Sequence, residues 1–576
     1  MEKNNGESDK ESDSGEFSNF DAVSSPLKDN NQEINQRKKC SLKTIIIILF
    51  IILLIGALMT LALFIIKLLK PKECQPGYFF PEDSKNECQK CSIENCGECS
   101  GTKDSNICSS CLPGHFSIFE NNTLKFCNSC VIGEDDKCFS CDKEINKCSK
   151  CNSGYKLENG KCVLNYSFKA KYFSHSNNPI TLFNYIDKNI VKEITIDDNV
   201  VELKDNYKLS YGNHVVYVLL NMNNISDLSN LFSFCLDLNE IYFSSQFNDI
   251  EIKRMDNMFK GCLSLTSINF DNFKIKNVES LSNMFAGCNS LTNINISNID
   301  ISKVKNMEQM FMRCNELKNI EFQNIKTNEL TKIENMFSGC SFLESLDLSN
   351  FDTKKVSSFS GLFNGCSNLH KINMSNFDTS SITKMDNMFK DCRSLTSLDL
   401  SNFDTKNLIS MSGIFSGCFN LTSINISSFN TSKIANLTEI FKNCRSLPSL
   451  DLSKFNTENA VNMLEMFDGC SSLTSLDLSN FNTEKVTNID GLFDGCSSLT
   501  SIDLSKFVTD SISSIYNLFY GCKKLTYIDV SSFSFTKIDP SYLFDKNIPS
   551  KGTIKVKDKN DEKKIKNLIP NWTFQN

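Results

Sequence analysis

The sequence predicts an α/β solenoid of about eleven 26-residue repeats, joined to a disulfide-rich stalk and a transmembrane helix. Three observations predict it. Cysteines stand at positions 262, 288, 314, 340, 366, 392, 418, 444, 470, 496 and 522, always 26 residues apart, and a fixed period of this length marks stacked supersecondary units. Residues 45–66 are all apolar, Gly or Thr, a run that at ~1.5 Å rise per residue crosses a ~30 Å hydrocarbon core. Fourteen further cysteines crowd between Cys74 and Cys162.

Each column of the repeat has a physical role. In the unit that begins at Met388, Leu395, Leu398 and Leu400 form LxxLxL, and the last two alternate with Ser397, Asp399 and Ser401. That is the period of a short strand with one buried face, and such strands stack into a parallel sheet. Phe403 recurs as Phe351, Phe377, Phe429, Phe455, Phe481 and Phe507, which predicts an aromatic ladder. Leu408, Met411, Ile414 and Phe415 follow helical spacing, so each coil is expected to run strand, turn, short helix. Stacked strands lie ~4.8 Å apart, which brings neighbouring column cysteines toward disulfide range. Side chains stacked in register point the same way, however, and this suits buried free thiols better than the perpendicular torsion of a disulfide.

An array needs closed ends. Residues 163–230 hold strand-like runs at 194–196 and 215–220 with turns at 197–199 and 212–214, predicting a β-rich N-terminal cap. The period holds through 231–538 and breaks at Asp539-Pro540; residues 539–576 predict a C-terminal cap with a strand from Gly552, a charged helix and Trp572 sealing the end.

The apolar run at 45–66 is longer than a signal-peptide core, lies further from the start, and has no small-residue cleavage site after it, so it reads as a retained anchor. Arg37, Lys38, Lys39 and Lys43 precede it and Lys67, Lys70 and Lys72 follow it, a slight lean toward an internal N-terminus. Dense cysteines and glycosylation sequons on the C-terminal side point the same way, because both belong to the secretory pathway. The expected topology is single-pass in the plasma membrane, N-terminus cytoplasmic and C-terminus extracellular. Residues 1–44 are polar and acidic and predict a disordered tail. Ser12, Ser14 and Ser25 are candidates for phosphorylation and Cys40 for palmitoylation.

Residues 73–162 are built on six CxxC pairs: Cys88 with Cys91, Cys96 with Cys99, Cys108 with Cys111, Cys127 with Cys130, Cys138 with Cys141, and Cys148 with Cys151. Cys74 and Cys162 complete the fourteen. Zinc is the alternative for CxxC pairs, but with this topology all fourteen are disulfide candidates, their connectivity open. Gly-aromatic or Gly-His turns follow Cys74, Cys111 and Cys151. The layout resembles furin-like and EGF-like modules, including those of protist surface proteins, and implies a spacer.

The repeat resembles leucine-rich repeats, and specifically the BspA-like surface-protein repeat with the phrase MFxGCxSLTSLDLSNFDT, which residues 388–405 and 466–483 nearly spell. The resemblance covers about residues 231–533. It implies a curved solenoid displayed on a cell surface, in a family associated with adhesion and with host or matrix interaction, whose partner is an extracellular protein or glycan.

On such a solenoid the outward strand residues form rows. The central row reads Asn269, Asn295, Glu321, Asp347, Asn373, Asp399, Asn425, Asp451, Asp477, Asp503 and Asp529, and it is expected to line the concave face. Asp347, Asp399, Asp451, Asp477, Asp503 and Asp529 are the candidate ligand-binding residues. The four successive carboxylates from Asp451 lie roughly 5 Å apart, an unfavourable like-charge stack that calcium or a basic partner would offset; alternatively, Asp is simply the ordinary residue of a solvated strand face. Calcium aside, no cofactor is expected. Sequons fall at Asn121, Asn165, Asn224, Asn420, Asn430, Asn436 and Asn571, with repeat-generated ones at Asn295, Asn373 and Asn425.

Composition narrows the function classes. Apolar residues make 40% and charged residues 22%, with a net charge of -7, and no basic stripe of the kind a nucleic-acid site needs is present. HExxH, GxSxG and Walker loops are absent, and the four histidines are scattered, so no enzyme is expected. The alternative to a surface adhesin is a signalling receptor with a phosphorylatable tail.

Overall fold

The computed structural model describes residues 154–576 except 159–160, 176–178, 185–189, 298, 323–324 and 536–537, together with strand segments between Tyr78 and Cys151. The expected tail, Cys40 and the apolar run at 45–66 lie outside the described residues. Among the described residues no helix is long and apolar enough to cross a membrane.

Two compact units divide the chain: residues 1–92 with 96–109, and residues 93–95 with 110–576. In the first, Tyr78–Phe79 pairs antiparallel with Gln89–Lys90. The second begins with antiparallel hairpins, His115–Glu120 with Thr123–Ser129, Cys138–Cys141 with Cys148–Cys151, and Tyr155–Glu158 with Lys161–Leu164. Of the fourteen disulfide candidates, Cys151 and Cys162 are seen bonded to each other. The bridge ties the end of one hairpin to the strand of the next, a pairing that the spacing left open. The side chains of Cys74, Cys88, Cys91, Cys96, Cys99, Cys108, Cys111, Cys127, Cys130, Cys138, Cys141 and Cys148 lie outside the described residues.

The N-terminal cap is a sheet. Strand β1 (Phe168–Ser174) is flanked by β4 (Gly212–Leu220) and β5 (Leu238–Phe243), both antiparallel to it, and β2 (Val191–Ile196) with β3 (Asn199–Val201) extends the far side. Alternate residues of β1 and β4 are buried, among them Phe168, Ala170, Tyr172, Val216 and Val218, as a sheet with one covered face requires. On its other edge β5 pairs parallel with β6 (Ser267–Asn269), the first strand of the array. The cap therefore leaves no open edge where the solenoid begins.

From there the chain winds as a β-solenoid of about twelve turns of roughly 26 residues. Its three-residue strands pair parallel: β7 (Asn293–Asn295) with β8 (Asn319–Glu321), β9 (Ser345–Asp347) with β10 (Lys371–Asn373), β11 (Ser397–Asp399) with β12 (Ser423–Asn425), and β13 (Ser501–Asp503) with β14 (Tyr527–Val530). The middle residue of each points inward, Leu398 at 8% exposure between exposed Ser397 and Asp399.

The expected short helix is absent from the repeats, and the α/β reading is corrected to an all-β coil with turns. Asn387 and Asp391 sit in the left-handed region at φ 54° and 57°, as do Gly413 and Gly417 one coil later, and a right-handed helix cannot pass through such residues. The N–H groups of Met385, Asn387, Phe389 and Asp391 instead donate to the carbonyls of Ser410, Ser412, Ile414 and Ser416 in the next coil. Those of Met388, Lys390 and Cys392 turn back to the carbonyls of Met385, Asn387 and Phe389. Consecutive tight turns thus bury Met385, Met388, Phe389 and Cys392, reproducing by another route the spacing that mimics a helix.

Three ladders hold the core. The unbroken aromatic stack is the phenylalanine three residues before each cysteine, not the Phe403 column: from Phe232 through Phe389 to Phe544, ring centroids follow one another at 5.2 to 6.0 Å, with an offset geometry that favours π-systems. Each column cysteine is free and buried, and its Sγ donates to the carbonyl of the phenylalanine one coil back, as Cys392 does to Phe363 at 3.1 Å. Buried threonines form the third. Thr457 Oγ1 accepts the Asn482 N–H at 2.8 Å and donates to the Asn482 carbonyl at 2.9 Å.

The far end closes with β15 (Thr553–Val556) added parallel to β14, then helix α1 (Lys559–Ile565), then β16 (Thr573–Gln575). Asp558 caps α1 by accepting the N–H groups of Asn560 and Asp561. Trp572 is 6% exposed, and its Nε1 donates to the Pro549 carbonyl.

Candidate functional site

The outward row lies on the strand face. Asp347, Asp399, Asp451, Asp477 and Asp503 are exposed, one per coil. Each has a local role. Its Oδ1 accepts the N–H of the serine two residues on, at 2.9 to 3.0 Å, from Ser349, Ser401, Ser453, Ser479 and Ser505. This Asx turn leads the chain out of the strand, and Asn295, Asn373 and Asn425 make the same turn at 2.9, 3.2 and 3.3 Å.

Those donors act on the charge of the row. The backbone N–H groups of Ser453 and Ser479, then their hydroxyls, hold the carboxyls of Asp451 and Asp477 below the usual carboxylate range. Among the described residues no group of three or more His, Cys, Asp or Glu side chains is arranged to hold a metal ion, so the row offers calcium single carboxylates and no cluster. Asp529 leaves the row: it is 4% exposed, taking the N–H and hydroxyl of Ser531 and lying 3.3 Å from Lys555 Nζ of the added strand β15.

The face is not uniform. Between β10 and β11 the strands are not paired, and a cleft of about 460 Å³ opens there. His370, Lys371, Asn373 and Asp399 stand at its rim, over Ile372, Leu395 and Leu398. A few convergent polar groups above an apolar floor is the composition of a ligand pocket.

Sequence reasoning missed a second feature nearby. Phe419 lies between Arg393 and Arg445 of the adjoining coils, whose guanidinium carbons stand 5.1 and 4.3 Å from the ring centroid. Both arginines are exposed, and Arg with aromatic residues is the usual makeup of binding hot spots. The signal was the one aromatic in a column that elsewhere reads Leu, Asn, Ser, Arg or Lys. The same coil carries Asn420, Asn425, Asn430 and Asn436, all exposed. Asn571 is exposed and Asn165 half-buried, while the Asn121 and Asn224 side chains lie outside the described residues.

Known proteins resemble parts of the chain. A leucine-rich repeat protein from Bacteroides ovatus is similar over 69% of this chain and 99% of its own, with 18% identity and a TM-score of 0.40. A leucine rich cell surface protein from Faecalibacterium prausnitzii is similar over 54% of this chain and 83% of its own, with 18% identity and a TM-score of 0.29. The human protein disulfide isomerase CRELD2 is 34% identical over 58 residues, 10% of this chain and 15% of that protein. A family model described as "Mycoplasma protein of unknown function, DUF285" matches residues 216–323, 331–448 and 409–533, together more than half of the chain. On that match the chain is a member of the DUF285 family, a BspA-like leucine-rich-repeat family.

Proposed function

We propose that this protein is a membrane-anchored cell-surface recognition and adhesion protein, of the protist type with a furin- and EGF-like stalk, that engages an extracellular protein or glycan through the strand face of its solenoid. The observation that carries the reading is the strand face itself: one outward polar position per coil, exposed in most coils, over a core whose ladders do not depend on it. Repeat solenoids bind through such extended surfaces and need no single catalytic pocket. The apolar run at 45–66, the sequons and the Cys151–Cys162 disulfide support display outside the cell, N-terminus inside.

The test pairs topology with binding. Full-length protein carrying a C-terminal epitope is expressed on cells, and antibody access is scored without permeabilisation; an epitope reached only after permeabilisation overturns the orientation. Binding to intact cells, matrix proteins and immobilised glycans is then measured for the native chain and for Asp451→Asn with Asp477→Asn. Asparagine keeps the Asx turn, so the variant changes charge without changing the coil. Saturable binding weakened by the pair, or by Arg393→Ala with Arg445→Ala, supports recognition through the solenoid; binding that neither pair touches removes it from this face. A signalling receptor is the second reading, resting on Ser12, Ser14 and Ser25 in the acidic tail, and capture of cytosolic partners only by the phosphorylated tail would favour it.

A further inference from the structure

The N-terminal cap holds a cleft of its own, about 620 Å³, within the ~300–1,000 Å³ range of ligand pockets. One wall is the β2–β3 turn, where Asp197 and Asp198 are both left-handed at φ 45° and 67°. The turn is the tight two-residue kind that follows the twist of a hairpin. It sets Asp197 against β4, where Oδ1 accepts the Val215 N–H at 2.9 Å and Oδ2 lies 2.5 Å from His214 Nδ1.

His214 is 5% exposed and its Nε2 lies 2.8 Å from the Ser210 carbonyl. A carbonyl only accepts, so Nε2 carries a proton, and the carboxylate at Nδ1 asks for the second. His214 and Asp197 are thus an ion pair of no net charge. The opposite wall is the 202–208 loop, pinned by Tyr207, whose hydroxyl accepts the Lys204 N–H and donates to the Glu202 carbonyl, both at 2.9 Å.

What the pair leaves unbalanced is two lysines. Lys204 and Lys208 line the cleft, both exposed, and neither has an ion-pair partner among the described residues. Glu202 and Asp205, on the same loop, are not part of its walls. The apolar part of the lining is half-buried Val201 and Leu209 with buried Ile196. Among the described residues the lining therefore offers two cations and an apolar wall, and its one carboxylate, Asp197, is paired with His214.

We propose that this cleft binds an anionic sugar, its carboxylate or sulfate held by Lys204 and Lys208 and its ring seated on Val201 and Leu209. Two ammonium groups suit an oxyanion as point charges on flexible stems, and the apolar wall gives a sugar's C–H face the surface that a free inorganic anion would not use. The site lies outside the strand face and does not depend on it.

Calorimetric titration of the full-length, detergent-solubilised protein tests it with glucuronic acid, glucose 6-sulfate, glucose and inorganic sulfate as probes. Saturable binding of at least one of the two anionic sugars and none of glucose is expected, and which of the two binds identifies the oxyanion. Lys204→Gln and Lys208→Gln, both on exposed positions, should each weaken it about ten-fold or more, the loss expected for one charge-assisted hydrogen bond, and together abolish it, with the thermal midpoint unchanged. Absence of binding by both anionic sugars, or binding that the double variant leaves intact, overturns the proposal. Inorganic sulfate binding as tightly as glucose 6-sulfate overturns the sugar.

Discussion

The two sides of each coil are held together differently. On the turn side, every second N–H from Met385 to Asp391 reaches the next coil, with the phenylalanine, cysteine and threonine ladders directly behind. On the strand side the ladder comes in separate pairs, β7 with β8, β9 with β10, β11 with β12, and then lapses through the coils of Asp451 and Asp477 until β13. Pro448 contributes to that lapse, because it has no N–H to offer where its counterparts Thr422 and Thr474 donate to the previous coil. The register of the stack is thus set by the turns and the core, and the strand face is left free to vary. Four perturbations separate the two sides.

The largest effect belongs to the ring stack. Phe389 sits between Phe363 and Phe415 at 5.5 and 6.0 Å and is fully buried. Phe389→Ala should cost about 3–5 kcal/mol, transfer plus cavity, and split the array into two melting segments in a calorimetric scan, since each coil contacts only its neighbours. Ser397→Ala on the strand face should stay within roughly 0.5 kcal/mol. Similar losses for the two would mean that the sides share the load.

Next come the polar ladders. Thr457→Val keeps the shape but strips both part-buried bonds to Asn482, for a loss of about 1–2 kcal/mol. The thiols are testable without mutation. Burial raises them, Cys418 to about 12 and Cys392 well above its ordinary value, so the thiolate is scarce and inaccessible. A thiol reagent at pH 8 should label none of the twelve free cysteines of the folded solenoid and all of them after denaturation; rapid labelling of the native protein would show that the coils open on their turn side.

How much of this was legible follows from what a period encodes. Spacing found the array, because burial recurs wherever the chain recurs, and it singled out Cys392, Leu395, Leu398 and Phe403 as inward. It mistook the turns for a helix because three- and four-residue steps inward arise from both, and only the left-handed residues at Asn387 and Asp391 distinguish them. It favoured free thiols without finding their acceptor, since a carbonyl 29 residues back leaves no mark on composition. The role of Asp in the row was also half visible: Asn and Asp alternate there because either closes an Asx turn, so the column reports a turn before it reports a ligand. The cleft at β10 and β11 and the one beside His214 come from how separate segments meet in space, and no column shows that.

Charge gives a smaller contrast, between the cap and the far end of the array. Burial lowers the affinity of His214 for its proton, but the hydrogen bonds to Asp197 and the Ser210 carbonyl outweigh it, and the net shift is upward from 6.5. A histidine raised in the folded state contributes stability that is full below its unfolded value and lost as pH rises through the folded one. Asp494 moves the same way for another reason. Burial, then the neighbouring Asp468, Glu465 and Asp545, push it up to about 6 against the pull of Lys442. Its contribution is full below pH 3.8 and fades as pH rises through about 6. The two fade in different windows. Asp494→Asn should flatten the fall in melting temperature between about pH 4 and 6, and His214→Gln the fall above about pH 6.5; a fall in the lower window that Asp494→Asn leaves intact would place the titrating group elsewhere.

The smallest expected effect is also the sharpest test of what the strand face is for. Asp451→Asn keeps the acceptor for the Ser453 N–H, as Asn425 does for Ser427, and should leave the melting temperature unchanged. Asp451→Ala removes that acceptor and should lower the melting temperature slightly, by the loss of one hydrogen bond. If the two variants melt alike, the Asx turn is not what holds Asp451 in place. If they separate as expected, the carboxylate charge is dispensable to the coil, and any loss of binding by Asp451→Asn can be charged to the partner and not to the fold.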